Sequence, residues 1–142
     1  MDTAILVTII TTSGSIILAS LSFYLTKRYQ IKTEWQKEKI NHYKTLTSAL
    51  SDLATDGKNK NEANMKFALA CNTIALVAPQ SVITALMEFH DEVKFSNNNQ
   101  TIEKHDMLLK KLLIEIRKDI NLTKKDKIDT FNFHLIGSSP RK

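Results

Sequence analysis

The stretch AILVTIITTSGSIILASLSFYL, Ala4–Leu25, decides the fold of this protein. Its 22 residues include neither a charged side chain nor a proline. An α-helix of this length spans about 30 Å, which is the thickness of the hydrocarbon core of a bilayer. We therefore predict that this stretch is a transmembrane helix.

The charges that flank the stretch separate a membrane span from two alternatives. Only Asp2 precedes it, whereas Lys27, Arg28 and Lys32 follow it. A secretory signal would carry its positive charge before the apolar run. The core helix of a soluble domain rarely stays uncharged over about six turns. Because cytoplasmic flanks are enriched in Lys and Arg, we expect the N-terminus outside and the rest of the chain in the cytoplasm.

Small and hydroxyl-bearing residues recur along one stripe of the predicted span. They lie four, three, four and three residues apart: Thr8, Thr12, Ser15, Ala19 and Ser22. Such a stripe favours helices that associate with one another and, more narrowly, a polar seam that lines a pore. The alternative is an inert anchor whose hydroxyls bond carbonyls of their own helix. Gly14 has no second glycine four residues away, so a GxxxG motif is absent.

Length and charge limit the partners of the chain. Its 142 residues allow one span and one soluble domain. The formal net charge is +5, and every Lys and Arg lies at or after Lys27. A basic domain beside a membrane favours anionic lipid headgroups, with nucleic acid or an anionic nucleotide as the more specific alternative. The single cysteine, Cys71, excludes an internal disulfide and a CxxC metal site.

Apolar periodicity predicts an all-α fold, with one N-terminal transmembrane helix and a cytosolic bundle of about four helices. The first helix is expected to continue to about Thr55, before a break at Gly57. Further helices are predicted over residues 62–78, 80–95 and 102–120. Asn61 and Thr101 are the expected N-cap residues. Pro79 is expected to form a kink or tight corner between the second and third helices. The predicted domains are an anchor at 1–29, a cytosolic bundle at 30–136 and a flexible tail at 137–142.

Two predictions concern burial, and one concerns the C-terminal segment. The helix at 62–78 is nearly apolar on all sides from Phe67 onward, which predicts burial between other helices. Trp35 lies about 15 Å beyond the span along a straight helix and is expected to pack within the protein or on another subunit. The segment TFNFHLI, residues 130–136, alternates weakly and predicts an extended segment or a short edge strand.

Two polar residues inside apolar helices are candidate contact residues. Asn72 interrupts the apolar run of the second helix, as a contact to a ligand or neighbouring subunit or as a core amide with a protein partner. Arg117 lies beside the apolar stripe of the last helix. A guanidinium suits either a bound phosphate or an acidic side chain on a neighbouring helix.

Motifs for catalysis, metal binding or cofactor binding are absent from the sequence. The three glycines are isolated, so they form no phosphate-binding loop. The four histidines lie in different segments and suggest no catalytic triad. His90, Asp91 and Glu92 are consecutive, so they do not share a helix face and do not match metal-ligand spacing. We therefore expect no enzyme activity, no metal and no cofactor.

Three segments carry a resemblance to known proteins: INHYKTLTSAL at 40–50, FALACNTIALVAP at 67–79 and LLKKLLIEIRKDI at 108–120. With the N-terminal anchor and the basic bundle, they resemble small membrane-anchored helical proteins of bacterial antiviral defence, notably CRISPR-associated accessory and effector proteins. One similar group is the pore-forming accessory protein of RNA-targeting CRISPR systems, which has a divergent HEPN-like domain. A second is the membrane effector that binds cyclic tetra-adenylate.

The resemblance implies a place in the bacterial inner membrane and argues against one activity. A HEPN ribonuclease carries a His shortly after its Arg, whereas Arg117 is followed by KDINLT without a His. The resemblance therefore implies the scaffold and membrane roles of that group rather than RNA cleavage.

Together these observations predict a homo-oligomeric effector that forms a pore or perturbs the membrane in CRISPR-associated antiviral defence. Its predicted partners are the lipid bilayer, further copies of itself, and a CRISPR effector complex or an anionic nucleotide. The alternatives are a membrane tether or adaptor that recruits a protein partner without forming a pore, and a sensor of cyclic oligonucleotides.

Overall fold

The computed structural model describes residues 2–55, 59–94, 96–122 and 125–135. Within these residues the chain forms four α-helices and no strand. The helices are α1 Thr3–Ala54, α2 Lys60–Ile74, α3 Gln80–Val93 and α4 Ile102–Asp119. The prediction of an all-α chain with one long, apolar N-terminal helix is confirmed.

α1 is a single helix of 52 residues because no residue within it interrupts the backbone hydrogen bonds between successive turns. It contains no proline, and Gly14 is its one glycine. The predicted continuation to about Thr55 is confirmed, since the last helical residue is Ala54. Gly57, the expected end of this helix, lies outside the described residues.

By packing, the chain divides into an N-terminal unit, Met1–Lys37, and a C-terminal unit, Glu38–Lys142, and α1 contributes residues to both. The predicted domain limits at residues 29 and 136 follow from an expected membrane and an expected tail rather than from packing. They stay predictions, and the tail at 137–142 lies outside the described residues.

α2 begins two residues earlier and ends four residues earlier than predicted. Asn59, not Asn61, is its N-cap: the Asn59 side chain accepts a hydrogen bond from the backbone N–H of Asn61 at 3.1 Å. Residues 75–77 form turns instead of helix. After the helix the chain tightens into 3₁₀-type turns, in which the N–H groups of Leu76 and Val77 donate to the carbonyls of Thr73 and Ile74, three residues earlier.

α3 and α4 begin where the sequence predicts. α3 starts directly after Pro79, which has no backbone N–H to leave unpaired at a helix start. α4 follows Thr101, whose hydroxyl accepts a hydrogen bond from the backbone N–H of Lys104 at 3.2 Å. The N-cap predicted at Thr101 is therefore confirmed.

The ends of α3 and α4 fall slightly short of the prediction. α3 ends at Val93, and Phe95, its expected last residue, lies outside the described residues. α4 ends one residue early because Asn121 adopts a φ of 57°. This left-handed geometry, which Asn tolerates, lets the N–H of Leu122 donate to the carbonyl of Arg117 at 3.0 Å and close the helix.

The core of the C-terminal unit receives apolar side chains from all four helices. Its largest fully buried apolar side chains are Phe89, Leu46, Ile74, Leu86, Leu109, Leu112 and Val82. Among the described helices, α3 and α4 pack against each other most extensively. Burial of each such side chain contributes about 1.5–3 kcal/mol.

The prediction that α2 is buried on all sides is wrong. α2 buries one face only, since Leu69 is 69% exposed and Leu76, just beyond the helix, is 84% exposed. Trp35 is 64% exposed and does not belong to the core, so it does not pack within this chain, whereas its packing on another subunit stays a prediction. The described residues form one core, and α2 turns one face toward it.

The C-terminal segment packs without forming regular structure. Residues 131–135 contain no strand, so the edge-strand alternative is not realised there. Their burial alternates as expected: Phe131, Phe133 and Leu135 are half-buried, whereas Asn132 and His134 are exposed. The side chains of residues 133 and 135 contact the bundle core.

Candidate membrane anchor and interaction surfaces

The apolar part of α1 is exposed in the structure. An 18-residue window of this helix reaches a mean hydropathy of 2.0, and 0% of it is buried. Its exposed large apolar side chains are Ile5, Leu6, Val7, Ile9, Ile10, Ile16, Ile17, Leu18, Leu21, Phe23 and Leu25. They occur on all sides of the helix rather than along one stripe. A helix with this distribution requires an apolar environment around its whole circumference.

The predicted stripe lies on this exposed part of α1. Three of its hydroxyls donate to carbonyls four residues earlier: Thr8 to Ala4 at 2.8 Å, Thr12 to Thr8 at 2.7 Å and Ser15 to Thr11 at 2.8 Å. The other two members, Ala19 and Ser22, are exposed on the same helix. The three donors therefore need no second helix, while each hydroxyl oxygen keeps capacity to accept a hydrogen bond.

A cationic and aromatic face follows the apolar part of α1. Tyr24, Lys27, Arg28 and Ile31 line a shallow groove on this helix. Their spacing of i, i+3, i+4 and i+7 places them on one face. Tyr29, nearby, is 72% exposed. Aromatic and cationic side chains in this combination suit the headgroup level of a bilayer, where anionic phosphates attract Lys and Arg.

Asn72 lies on the exposed side of α2. The interpretation as a buried core amide is therefore wrong. The opposite side of the helix carries the core residues, including Phe67 and Ile74. Asn72 shares the outer side with Met65 and Leu69, which are 73% and 69% exposed. A contact to a ligand or a neighbouring subunit is the interpretation that this placement leaves open.

Arg117 forms an ion pair on the bundle surface. Its Nε donates to Oδ2 of Asp126 at 2.6 Å, and its guanidinium lies 5.5 Å from the centre of the Phe131 ring. The Phe131 ring stacks on that of Phe133. The acid that pairs with Arg117 comes from the C-terminal segment rather than from a neighbouring helix. These contacts hold residues 125–133 against α4 and engage the Nε side of the guanidinium. Binding of a phosphate by Arg117 stays a prediction.

A partly buried polar cluster joins α1 to the end of α4, and the sequence did not reveal it. Oδ2 of Asp119 accepts a hydrogen bond from the Tyr43 hydroxyl at 2.6 Å, and Oδ1 accepts one from Lys39 Nζ at 3.1 Å. Tyr43 is 4% exposed. Burial, reinforced by the Asp119 carboxylate, raises the pKa of Tyr43 far above its usual range. Tyr43 therefore acts as a fixed hydrogen-bond donor.

Glu92 is a second residue that the sequence did not reveal. Its hydrogen bonds link the end of α3 to the start of α4. Its buried carboxylate accepts hydrogen bonds from Lys104 Nζ at 2.6 Å and from the backbone N–H of Thr101 at 3.1 Å. The Asn97 amide donates to its backbone carbonyl at 2.9 Å. The hydrogen bond from Lys104 is the largest cause that lowers the pKa of Glu92. No local pattern predicts these contacts, because Thr101 and Lys104 lie nine and twelve residues after Glu92, beyond the loop between the two helices.

No hydrogen bond or ion pair joins Asn72 and Arg117 in the described part of the chain: Asn72 is exposed on α2, and Arg117 pairs with Asp126. Among the described residues, no group of three or more His, Cys, Asp or Glu side chains is placed to hold a metal ion. Burial raises the pKa of the Cys71 thiol to about 11, so it stays protonated near neutral pH. The candidate functional regions are therefore surfaces: the apolar α1 segment, its cationic face and the outer side of α2.

Comparisons with protein families, with curated proteins and with solved structures found no match to this chain. The resemblance to CRISPR-associated membrane proteins stays a prediction that rests on the three quoted segments and the layout of the chain.

Proposed function

We propose that this protein is a single-span membrane protein that holds a basic helical bundle at the cytoplasmic face of the membrane, as a tether or adaptor rather than as an enzyme. The observation that supports this proposal is the apolar segment of α1, with a mean hydropathy of 2.0 and no buried residue. Exposure around the whole helix argues against a core helix, because a core helix buries that surface in its own domain.

The flanking charges support the orientation. Asp2 lies before the apolar segment, and Lys27, Arg28 and Lys32 lie after it. The positive-inside rule assigns this arrangement an outer N-terminus and a cytoplasmic bundle. In a bacterium, the proposed location is the inner membrane. A role in CRISPR-associated antiviral defence rests on the resemblance alone.

Membrane fractionation of the full-length protein tests the anchor. We expect the protein to remain in the membrane pellet after alkaline carbonate extraction. An Ile10→Asp, Ile17→Asp variant should move to the supernatant, because a central Asp costs about 2.5–3.5 kcal/mol per residue on insertion scales. A Trp35→Asp, Asn41→Asp variant adds the same charge at exposed positions beyond both the apolar segment and the cationic face, and it should stay in the pellet. Extraction of the unmodified protein by carbonate would contradict the anchor.

Cysteine labelling in intact cells tests the orientation. Asp2 and Lys37 are exposed positions on opposite sides of the apolar segment. A membrane-impermeant maleimide should label an Asp2→Cys variant directly and a Lys37→Cys variant only after permeabilisation. The reverse pattern would invert the topology while leaving the anchor intact.

A pore-forming effector is the second candidate, and the exposed stripe favours it. Thr8, Thr12 and Ser15 keep acceptor capacity on their oxygens although their hydroxyl hydrogens bond their own helix. In a ring of copies, such oxygens suit a water-facing surface. Dye release from liposomes that contain the purified protein would measure a pore.

The pore candidate predicts a position-specific loss. A Thr12→Leu, Ser15→Leu, Ala19→Leu variant should reduce dye release at least tenfold while the protein stays inserted. Ile10→Leu with Ile17→Leu changes other positions of the same segment and should leave release unchanged. Equal release from both variants would favour the tether.

A further inference from the structure

The groove on the cationic face of α1 holds two adjacent positive charges. Tyr24, Lys27, Arg28 and Ile31 line it, and its volume is about 440 Å³. Sites that bind one small ligand have volumes of roughly 300–1,000 Å³. Tyr24 lies at the end nearer the apolar segment and Ile31 at the other end, so the two cations lie between an aromatic and an aliphatic side chain.

Lys27 and Arg28 have no acidic neighbour on their own helix. In an α-helix a cation pairs with an acid three or four residues away. The positions at those distances from Lys27 or Arg28 contain no acid: Phe23, Tyr24, Leu25, Gln30, Ile31 and Lys32. No ion pair to either cation occurs among the residues that the structure describes.

Several cations of the bundle differ from these two, because an acid of the same chain already binds them. Examples are the pairs of Lys39 with Asp119, Lys104 with Glu92 and Arg117 with Asp126. The charges of Lys27 and Arg28 are not offset in this way. They therefore attract an anion from outside the chain.

We propose that this groove binds the headgroup phosphate of an anionic phospholipid in the cytoplasmic leaflet. The inference rests on the membrane anchor proposed above and names the class of lipid that the anchor binds. A guanidinium binds phosphate oxygens through two parallel hydrogen bonds, so Arg28 is the main ligand, and Lys27 adds a second positive charge. The Tyr24 hydroxyl supplies a further hydrogen-bond donor.

The position of the groove along α1 favours a lipid over a soluble phosphate. Leu25 is the last residue of the apolar segment, so Lys27 and Arg28 lie about 3–4.5 Å beyond it along the helix axis. The headgroup region extends roughly 5–7 Å beyond the hydrocarbon core on each side of a bilayer. Both cations therefore lie at the level at which the phosphates belong to lipids.

The charge of this part of α1 favours an anionic lipid over a zwitterionic one. Residues 26–33 include three cations and no acid. A zwitterionic headgroup carries its own ammonium group, which these cations repel, whereas an anionic headgroup adds only negative charge. Each Lys or Arg near an anionic surface strengthens binding by about fivefold, so Lys27 and Arg28 together favour the anionic lipid by about thirtyfold.

Energy transfer from Trp35, the single tryptophan of the chain, tests the lipid preference. Full-length protein is reconstituted into phosphatidylcholine liposomes with a trace of phosphatidylglycerol or phosphatidylcholine that carries pyrene on its acyl chain. Trp35 lies about 10 Å from Arg28 along the helix, so a lipid in the groove is within transfer range. Competition by unlabelled lipid gives the relative affinities, and we expect phosphatidylglycerol to bind at least tenfold more tightly.

Two variants of equal net charge locate the binding site. Lys27→Gln, Arg28→Gln removes both cations of the groove and should lower the preference for phosphatidylglycerol at least tenfold. Lys37→Gln, Lys44→Gln removes two exposed cations elsewhere on α1 and should keep the preference. Equal losses in the two variants would overturn the site, because the preference would then follow from total charge.

A third variant tests the geometry of the contact. Arg28→Lys keeps the positive charge but loses the two parallel hydrogen bonds, so its preference should lie between those of the unmodified protein and of Lys27→Gln, Arg28→Gln. A preference equal to that of the unmodified protein would contradict the role of the guanidinium.

The outcomes separate the lipid from other ligands and from the proposed function. Displacement of the labelled lipid by inorganic phosphate or by a short RNA, at constant ionic strength, would reassign the groove to a soluble anion. Carbonate-resistant protein without a preference for phosphatidylglycerol would overturn the lipid site alone. Protein that carbonate extracts would overturn the anchor and the lipid site that depends on it.

Discussion

α1 contains two regions that share one helical geometry and differ in their surroundings. Between Thr3 and Lys37 its apolar side chains point to all sides and are exposed. Beyond Glu38 its buried residues, Tyr43, Leu46, Ala49 and Leu50, belong to one face and enter a protein core. The distribution of apolar residues around a helix, rather than their number, therefore indicates whether one face of it packs into a protein core.

Hydroxyl groups bond in the same way in both regions. Thr8 and Ser15 in the first region donate to carbonyls four residues earlier in their own helix, and Thr47 and Ser51 do so in the second region. The second region adds hydrogen bonds to a distant part of the sequence, since Lys39 and Tyr43 bond Asp119 of α4. Local hydrogen bonds therefore do not separate the two regions, whereas these distant ones mark the part of α1 that belongs to the bundle.

The largest expected effect is the loss of stability that a cavity in the second region would cause. Leu46 is 0% exposed, so Leu46→Ala should lower the free energy of unfolding by about 2–5 kcal/mol. Ile16→Ala, in the first region at 61% exposure, should change the stability of the bundle by less than about 0.5 kcal/mol. Urea unfolding of the full chain in detergent, followed by hydrogen exchange in α2 to α4, measures both. Equal losses of stability in the two variants would contradict the difference in burial between the two regions.

A smaller effect is expected from the hydroxyl of a buried tyrosine. Tyr43→Phe removes a donor to the Asp119 carboxylate and should cost about 1.5–3 kcal/mol, the range for hydrogen bonds to charged groups. Tyr29→Phe makes the same change at a residue that is 72% exposed and should cost almost nothing. The same unfolding measurement compares the two variants, and a neutral Tyr43→Phe would show that the cluster adds no stability.

A third test measures how pH changes the stability that Glu92 contributes between α3 and α4. Because the folded state lowers the pKa of Glu92, its contribution is complete above the unfolded value near 4.5 and disappears as pH falls through the folded value. Glu92→Gln should therefore be less stable than the unmodified protein at neutral pH, and the difference should vanish in acid. Glu34→Gln, an exposed change on α1, should show no such convergence. A difference in stability that stays constant at all pH values would show that Glu92 acts through packing rather than through its charge.

The smallest expected effect concerns the C-terminal segment. Arg117→Ala breaks the surface ion pair with Asp126 and the contact with Phe131, which together contribute about 1 kcal/mol or less. Hydrogen exchange at residues 125–135 should accelerate while the core helices stay protected. Lys118→Ala, at the next position, should leave that exchange unchanged. Unchanged exchange in Arg117→Ala would show that other contacts, such as that of Phe133 with the core, hold the segment.

Helix boundaries were predictable where one residue controls them. Pro79 and Thr101 set the starts of α3 and α4 through local chemistry. The start of α2 was missed because Asn59 and Asn61 are both good caps, and only the fold selected Asn59. Its early end was missed because the apolar run continues past Ile74, so the sequence pattern does not mark where the helix gives way to turns.

The candidate surfaces were predictable in part. The apolar segment and its flanking charges lie within one helix, so the sequence contains all the residues involved. Asn72 was recognised as unusual, but its exposure depends on which side of α2 meets the core. Both sides are apolar, so periodicity could not choose between them.

The sequence by itself determined the long first helix, its apolar segment and the all-α class, because these depend on contacts within a few turns of one chain. Only the tertiary structure decided that Asp119 bonds Tyr43 and Lys39, that Asp126 pairs with Arg117, and that α2 keeps one apolar side uncovered. The two sets of ion pairs and hydrogen bonds join residues that are distant in sequence, and the exposure of α2 depends on which of its sides meets the core. Neither can be predicted from the propensities of neighbouring residues.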